Sequence, residues 1–506
     1  MTKLPNESDG NTVQSGRWNT ILGKIQESTD TDVTIRGRKA TFGTFVSLSA
    51  ASFVGLSGAA GYYGVRAEDH ITSGDGSAAN PYNASAIQSA INALPSRGGI
   101  VFIKEGVWRG TSRITVNAAG TEKNKHVLFQ GAGTFHRQIF FKDGSSNILT
   151  GTHVQAGFDC YIPCDFYDMA ISPHPNNFGT QPCVDFIIDP TKNTTEFDWT
   201  GGHTVKRIRF WLGTHGVRYR GVNMGAVFVQ IWGVVYEQCG FIEQETNGFR
   251  MVRTDFDSTA PSQGIRMALR NCEFRGVNGR GFNYDVSSSA LLVEDCILEG
   301  CGSIGGDYAF FVNTFGDGGV YIHNIDFGDG AYSNKCAKLD IGRGANIDYF
   351  RVQARDDTST AKNEIDIGGR GHFRIGGDSK SGSPFRFNLV NMWEGTIEEA
   401  NFGSGSFGLG TVDALSQSNA ARITIRPQVT PPGLIGSTTP GASPHTYTNL
   451  DMYEEMVYLV GGTISDVSRD GTTIGTDRSH YMRPGDSIVI TYSSAPTIKR
   501  FGVGMS

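Results

Sequence analysis

Apolar and polar positions along this chain follow two different periods. Between Asn83 and Pro95, residues Ile87, Ala90, Ile91 and Leu94 fall at i, i+3, i+4 and i+7, the spacing of one helical face. This predicts one short amphipathic helix over 84–95, with Asn83 or Ser85 capping its start and Pro95 with Gly98-Gly99 ending it. Elsewhere the period is mostly two. Gly99-Ile-Val-Phe-Ile reads as a strand that closes on a Gly106 turn, and residues 33–58 alternate apolar with small polar side chains, as short strands do.

From about residue 99 to 425 the strand pattern repeats, which points to a solenoid. A phrase of the form apolar-x-apolar-x-x-Cys-x-apolar occurs at Val234–Phe241, Met267–Phe274 and Leu291–Leu298, and again at Val320–Phe327 with Ile325 in the cysteine slot. The slots Cys239, Cys272 and Cys296 are 33 and 24 residues apart, and Ile325 follows 29 later. Uneven spacing is what coils joined by turns of variable length give, because insertions lie outside the stack. Equivalent residues would then sit about 4.8 Å apart, one above another. The slot therefore predicts an inward ladder, with its cysteines as small core hydrophobes rather than bridges. In a reducing cytoplasm all 8 cysteines would remain thiols. Further strand phrases are His126–Gly133, His203–Phe210, Ala345–Val352 and Gly371–Gly377.

Composition supports a turn-rich chain. Gly makes up 67 of 506 residues with no Gly-X-Y period, and Phe and Tyr number 31 and 17. The net charge of −6 is mild for this length and gives no basic patch for nucleic acid. The most apolar stretch, Thr41–Val65, is broken throughout by Ser, Thr and Gly and falls short of the ~20 residues of a membrane span. The first residues carry no charged-then-apolar secretory signal. Residues 152–199, with Pro163, Pro173, Pro175, Pro182 and Pro190, read as a large irregular excursion from the solenoid wall, of the kind expected to carry binding loops. A Pro/Gly segment around Pro427–Gly433 reads as a linker, and strands such as Glu455–Val460 and Asp486–Tyr492 follow it.

The stretch Gly74–Trp108 resembles the entry segment of the pectate-lyase-like right-handed parallel β-helix superfamily, where a helix caps the open end and a Gly-Gly strand begins the first coil. Lys104-Glu105-Gly106-Val107-Trp108 departs from that phrase by lacking its proline. His126-Val-Leu-Phe-Gln-Gly131-Ala-Gly133 resembles the second coil, and Ser443–Asn449 with Ile488–Pro496 resembles the small β-sandwich cap of some viral spike proteins. The layout is similar to that of phage tailspikes. It implies an all-β protein: an N-terminal head over 1–73, a right-handed parallel β-helix over 74–428 and a C-terminal β-sandwich over 429–506. The resemblance also implies a homotrimer and attachment to other virion proteins through the N-terminal segment.

No motif settles a chemistry: Gly-x-Ser-x-Gly, phosphate-loop and His-Glu-x-x-His patterns are all missing. Cys160, Cys164, Cys183 and His174 have irregular spacing for zinc, so neither a metal nor a cofactor is expected. A β-helix wall suits sugar rings, and glycoside hydrolysis needs two carboxyls about 5–9.5 Å apart. Glu196 with Asp198, and Asp255 with Asp257, sit at i and i+2, so each pair shares a strand face and is a candidate catalytic pair. Trp199, Trp211 and Trp232 are candidate stacking platforms for substrate. A lyase would instead use a basic residue, and Arg351, Arg355 and Asp356 cluster in ordinary fashion.

The expectation is a virion tailspike or fibre protein, assembled in the host cytoplasm, that recognises and in one version cleaves a host surface polysaccharide. Two alternatives stand beside it: a secreted polysaccharide lyase or glycoside hydrolase of the same fold, and a non-catalytic structural virion protein.

Overall fold

The computed structural model describes residues 32–35, 38–41, 64–117, 125–133, 151–192, 198–199, 202–225, 230–258, 264–287, 290–302, 308–314, 319–327, 335–354, 362–379, 385–399, 407–419, 422–426, 433–451 and 454–503. The chain divides into two units, Met1–Gly64 and Val65–Ser506. In the first, Asp32–Ile35 and Arg38–Thr41 form an antiparallel hairpin with Asp32 opposite Thr41. The other sequence-predicted strands between 42 and 58 lie outside the described residues.

The second unit is built from coils of three strands, whose stacks we call faces 1, 2 and 3 in chain order. One coil runs through Gly98–Ile103 on face 1, Gly106–Arg109 on face 2 and Ile114–Val116 on face 3. His126–Gly131 then returns to lie parallel on Gly98–Ile103, Thr152–Gln155 on Gly106–Arg109 and Phe158–Cys160 on Ile114–Val116. The same pairing continues to Ile423–Arg426, and 27 strands join one hydrogen-bonded network. This is a right-handed parallel β-helix, the hand that parallel crossovers adopt.

The chain turns from face 1 to face 2 through single residues in the left-handed region: Asp168, Arg207, Gln238, Asn271, Asp295 and Asn324, with φ between 51° and 59°. Asn and Asp dominate this column because their short polar side chains tolerate that conformation best. Asn324 Nδ2 donates to Asp295 Oδ1 at 2.7 Å, and Arg207 Nη2 to Asp168 Oδ2 at 2.7 Å, so the bends also bond to one another. The residue after each bend points inward: Met169, Ile208, Cys239, Cys272, Cys296 and Ile325 are all buried. The cysteine slot is thus the ladder the repeat predicts, and Cys296 lies opposite Ile325. Aromatic columns fill the rest of the core, with Phe210, Phe241 and Phe274 stacked at centroid distances of 5.0 and 4.6 Å.

The helix α1 spans Ser85–Ala93 and buries Ala86, Ile87, Ala90 and Ile91 on the core. Its start differs from expectation: Ala84 is the cap residue and no side chain caps it. Asn83 is engaged elsewhere, its Oδ1 accepting from the Thr72 and Ser73 backbone N–H groups at 3.0 and 3.3 Å. At the other end, strands between Gly433 and Gly502 form two four-stranded antiparallel sheets around Val457, Leu459, Val467, Met482, Ile488, Ile490 and Ile498. Leu450 of this sandwich packs against the β-helix core. Among the described residues no helix is long and apolar enough to cross a membrane.

Candidate active site on face 3

One inward column runs the length of face 3. Phe186, Tyr219, Met251, Tyr284 and Val312 point into the core one above another. Their neighbours therefore point outward. One outward column runs Asp185, Arg218, Arg250, Asn283, Phe311, Lys338, Asp366 and Asn388. The next runs Val252, Asp285, Asn313, Asp340 and Gly368. The coil stack thus brings polar residues far apart in sequence into two neighbouring columns, a track broken by Phe311 and Val252.

The first part of the track is rich in guanidinium. Asp185 is buried and accepts from Arg218 Nε at 3.0 Å, Arg218 Nη2 at 2.7 Å and Arg220 Nε at 2.8 Å. Burial pushes the Asp185 carboxyl up, but the two guanidiniums outweigh it and hold the group below the usual carboxylate range. Arg250 grips Asp255 through Nε and Nη2, at 2.6 and 2.8 Å. Arg280 lies over the Phe311 ring at 3.9 Å and donates to Asn283 Oδ1 at 2.9 Å.

The second part is rich in carboxyl. Asp285 Oδ1 accepts from Asn313 Nδ2 at 3.0 Å and lies 3.4 Å from Arg253 Nε. Asp340 stands one rung beyond Asn313 in the same column. Burial raises the Asp340 carboxyl above its ordinary value, Lys338 opposes the rise and Asp285 adds to it. Opposite it stands Gly368, where a Cβ would come within 2.9 Å of Asp340 Oδ1, so the carboxyl occupies the room that the missing side chain leaves. Beyond it, Asp366 accepts from Tyr308 Oη at 2.6 Å and Asn388 Nδ2 at 2.8 Å.

Asp285 and Asp340 form a pair with opposed environments. The Asp285 carboxylate is held by an amide and a guanidinium, and burial raises the proton affinity of the Asp340 carboxyl. Two rungs at about 4.8 Å each set their backbones roughly 9.5 Å apart. That matches the wider spacing of two-carboxylate glycoside chemistry, in which a raised carboxylic acid protonates the leaving oxygen and the other activates water.

The residues singled out from sequence fall around this track. Glu196 lies outside the described residues. Asp198 and Trp199 form a two-residue strand in register with Gln230 and Ile231, which in turn pair with Gly264 and Ile265. This short extra ladder lies on the face 3 to face 1 connections and brings the backbone of Trp199 level with that of Ile231, next to Trp232. Asp255 and Asp257 lie on Asn247–Ser258, the same strand as Arg250. Trp211 is apart from these, at the end of a face 2 strand, where its Nε1 donates to Glu243 Oε2 at 3.2 Å and its ring lies 5.7 Å from that of His153. Cys160, Cys164 and Cys183 are buried in the wall, and His174 caps a 3-10 turn by accepting from Asn176 N. Among the described residues no three metal-ligating side chains converge.

Sequence reading passed over Asp285 and Asp340. Their signal is a second repeated phrase: Phe282-Asn-Tyr-Asp285, Phe310-Phe-Val-Asn313, Ala337-Lys-Leu-Asp340 and Ile365-Asp-Ile-Gly368. In each, two inward apolar residues precede one outward slot that holds Asp, Asn, Asp and Gly in turn.

No protein-family model matches the chain, and no curated protein is similar to it. Among solved structures it is similar to a tailspike protein of the Acinetobacter baumannii bacteriophage Fri1, described as a capsular polysaccharide depolymerase, at 11% identity over 83% of this chain and 82% of that one, TM-score 0.32. A second is the enzymatically active domain of tailspike protein 4 from bacteriophage CBA120, at 10% identity, 83% and 64% coverage, TM-score 0.34. A third is the catalytic unit of a GH87 α-1,3-glucanase from Streptomyces thermodiastaticus, at 14% identity, 72% and 70% coverage, TM-score 0.29. At these scores the fold stands on its own strand pairing.

Proposed function

We propose that this chain cleaves a polysaccharide by acid–base hydrolysis on face 3, with Asp340 as the acid and Asp285 as the base. One observation carries the reading: two outward carboxyls share a column two rungs apart, and burial raises the proton affinity of the Asp340 carboxyl. Their spacing favours inversion at the anomeric carbon, because it leaves room for water between the sugar and Asp285. The leaving oxygen takes the Asp340 proton while Asp285 takes one from the attacking water, so charge balances across the step. Asn313 and Arg253 orient the Asp285 carboxylate. The strand carrying Asp198 and Trp199, and the strands carrying Trp232 and Asp255 with Asp257, are proposed as a flanking wall for the glycan.

The wider proposal is a virion tailspike whose substrate is a host surface glycan. Incubation with a panel of purified bacterial capsular and O-antigen polysaccharides, scored for new reducing ends, tests the hydrolase. New ends absorbing near 232 nm would instead mark an eliminating lyase, and binding without new ends would mark a purely attaching protein.

A further inference from the structure

We infer that the guanidinium stretch of face 3 is a subsite for a carboxylate-bearing sugar unit of the substrate, with Arg218 and Arg220 as its anchors; this rests on the hydrolase reading above. Arg218 and Arg220 are i and i+2 on one strand and converge on the single carboxylate of Asp185. Two guanidiniums share one carboxylate, which leaves a net positive charge where they meet the track. Asp185 is almost fully buried, at 3% side-chain exposure, while Arg218 and Arg220 keep 27% and 32%. The anion thus sits behind the cations and fixes their guanidinium planes, and the cations face outward. That is the arrangement a planar carboxylate ligand needs, since an arginine fork matches carboxylate geometry only when it is held in place.

The distance to the reacting carboxyls fits as well. Arg218, Arg250 and Asn283 stack on successive rungs, and Asp285 lies two residues after Asn283 on the same strand. Arg218 therefore stands two rungs, roughly 9.5 Å, from the strand that carries Asp285. A pyranose unit spans about one rung, so an acidic sugar on Arg218 and Arg220 places a bond one to two units away over Asp285 and Asp340. Arg250 lies between, and its Nε and Nη2 are engaged by Asp255. Phe311, beyond Asn283 in the same column, is buried beneath Arg280.

The test pairs each acidic polysaccharide of a capsular panel with its carboxyl-reduced form. The expected result is cleavage of the acidic member at least 10-fold faster than of the reduced one, with a rate that falls as salt is raised. Arg220→Gln and Arg218→Gln each raise KM for the acidic member about 10-fold with kcat within twofold, and Arg220→Lys restores only part of the loss. Equal cleavage of both members, or unchanged KM in both variants, overturns the subsite and leaves the hydrolase standing. Absence of cleavage of every acidic and reduced polymer by the wild-type protein overturns the hydrolase and the subsite with it. Circular dichroism and melting temperature separate a folding failure of the variants, in which kcat would fall together with the melting temperature.

Discussion

Asp340 and Asp285 are ordinary residues in sequence and become a pair only through their places in a column. Replacing Asp340 by Asn keeps the shape but removes the transferable proton, so cleavage should fall by about 10²–10⁴-fold with an unchanged melting temperature. Asp285→Asn should do the same by removing the base. The acid must be protonated, so kcat/KM should decline as pH rises through the Asp340 value, which burial sets above the ordinary 3.8. Lys338 opposes that rise, so Lys338→Met should move the alkaline limb to higher pH while leaving the acid limb in place; a limb that does not move removes Asp340 from the role. The stability sign is opposite to that of an ion-paired carboxylate. Asp340's contribution to the fold is present below its unfolded value and is lost as pH rises through the folded one. None of this was legible from single residues, because 55 positions separate the two carboxyls. The pairs read from sequence were close neighbours, since i and i+2 are the contacts that a strand pattern shows without knowing coil lengths.

At the scale of the coil, two kinds of stack hold the faces together, and the sequence displayed one more plainly than the other. The inward slot of Cys239, Cys272, Cys296 and Ile325 was visible because apolar residues recur around it in a fixed phrase. The bends just before it were not, since Asp168, Arg207, Gln238, Asn271, Asp295 and Asn324 share a backbone conformation rather than a side-chain type. Asn271 tests the point. A β-branched residue strains the left-handed region by about 1–2 kcal/mol, whereas Gly adopts it freely. Asn271→Val should therefore lower the free energy of unfolding by that amount and Asn271→Gly should change it little; equal effects would mean the bend is set by side-chain bonding instead. The slot itself makes a second prediction. All 8 cysteines are free and buried, and burial pushes the Cys239 and Cys296 thiols upward in pKa. A thiol reagent at neutral pH should label none of them in the folded protein and all of them after unfolding.

For the whole molecule, the layout read from residues 74–133 and from the C-terminal strands corresponds to a β-helix closed by α1 at one end and met by a sandwich at the other. The hydrophobic repeat carried that far because each coil buries its own inward residues. What surrounds the shaft is a different question, since a solenoid with outward polar columns is complete as a single chain. The tailspike reading makes a definite claim here: three chains side by side, so that light scattering should return a mass near three times the 54.6 kDa of one chain. The outward face of the sandwich sheet bears on this. Met456, Tyr458, Val460 and Phe501 line a shallow hollow with Lys499, and Tyr458 and Val460 are exposed in the single chain. A trimer that covers this face should dissociate, or fail to assemble, when Tyr458 and Val460 are replaced together by Asp, with the sandwich core of Val457 and Leu459 left intact. A trimer that survives the change would be held along the shaft, and a particle at the mass of one chain would leave face 3 working as a single-chain enzyme.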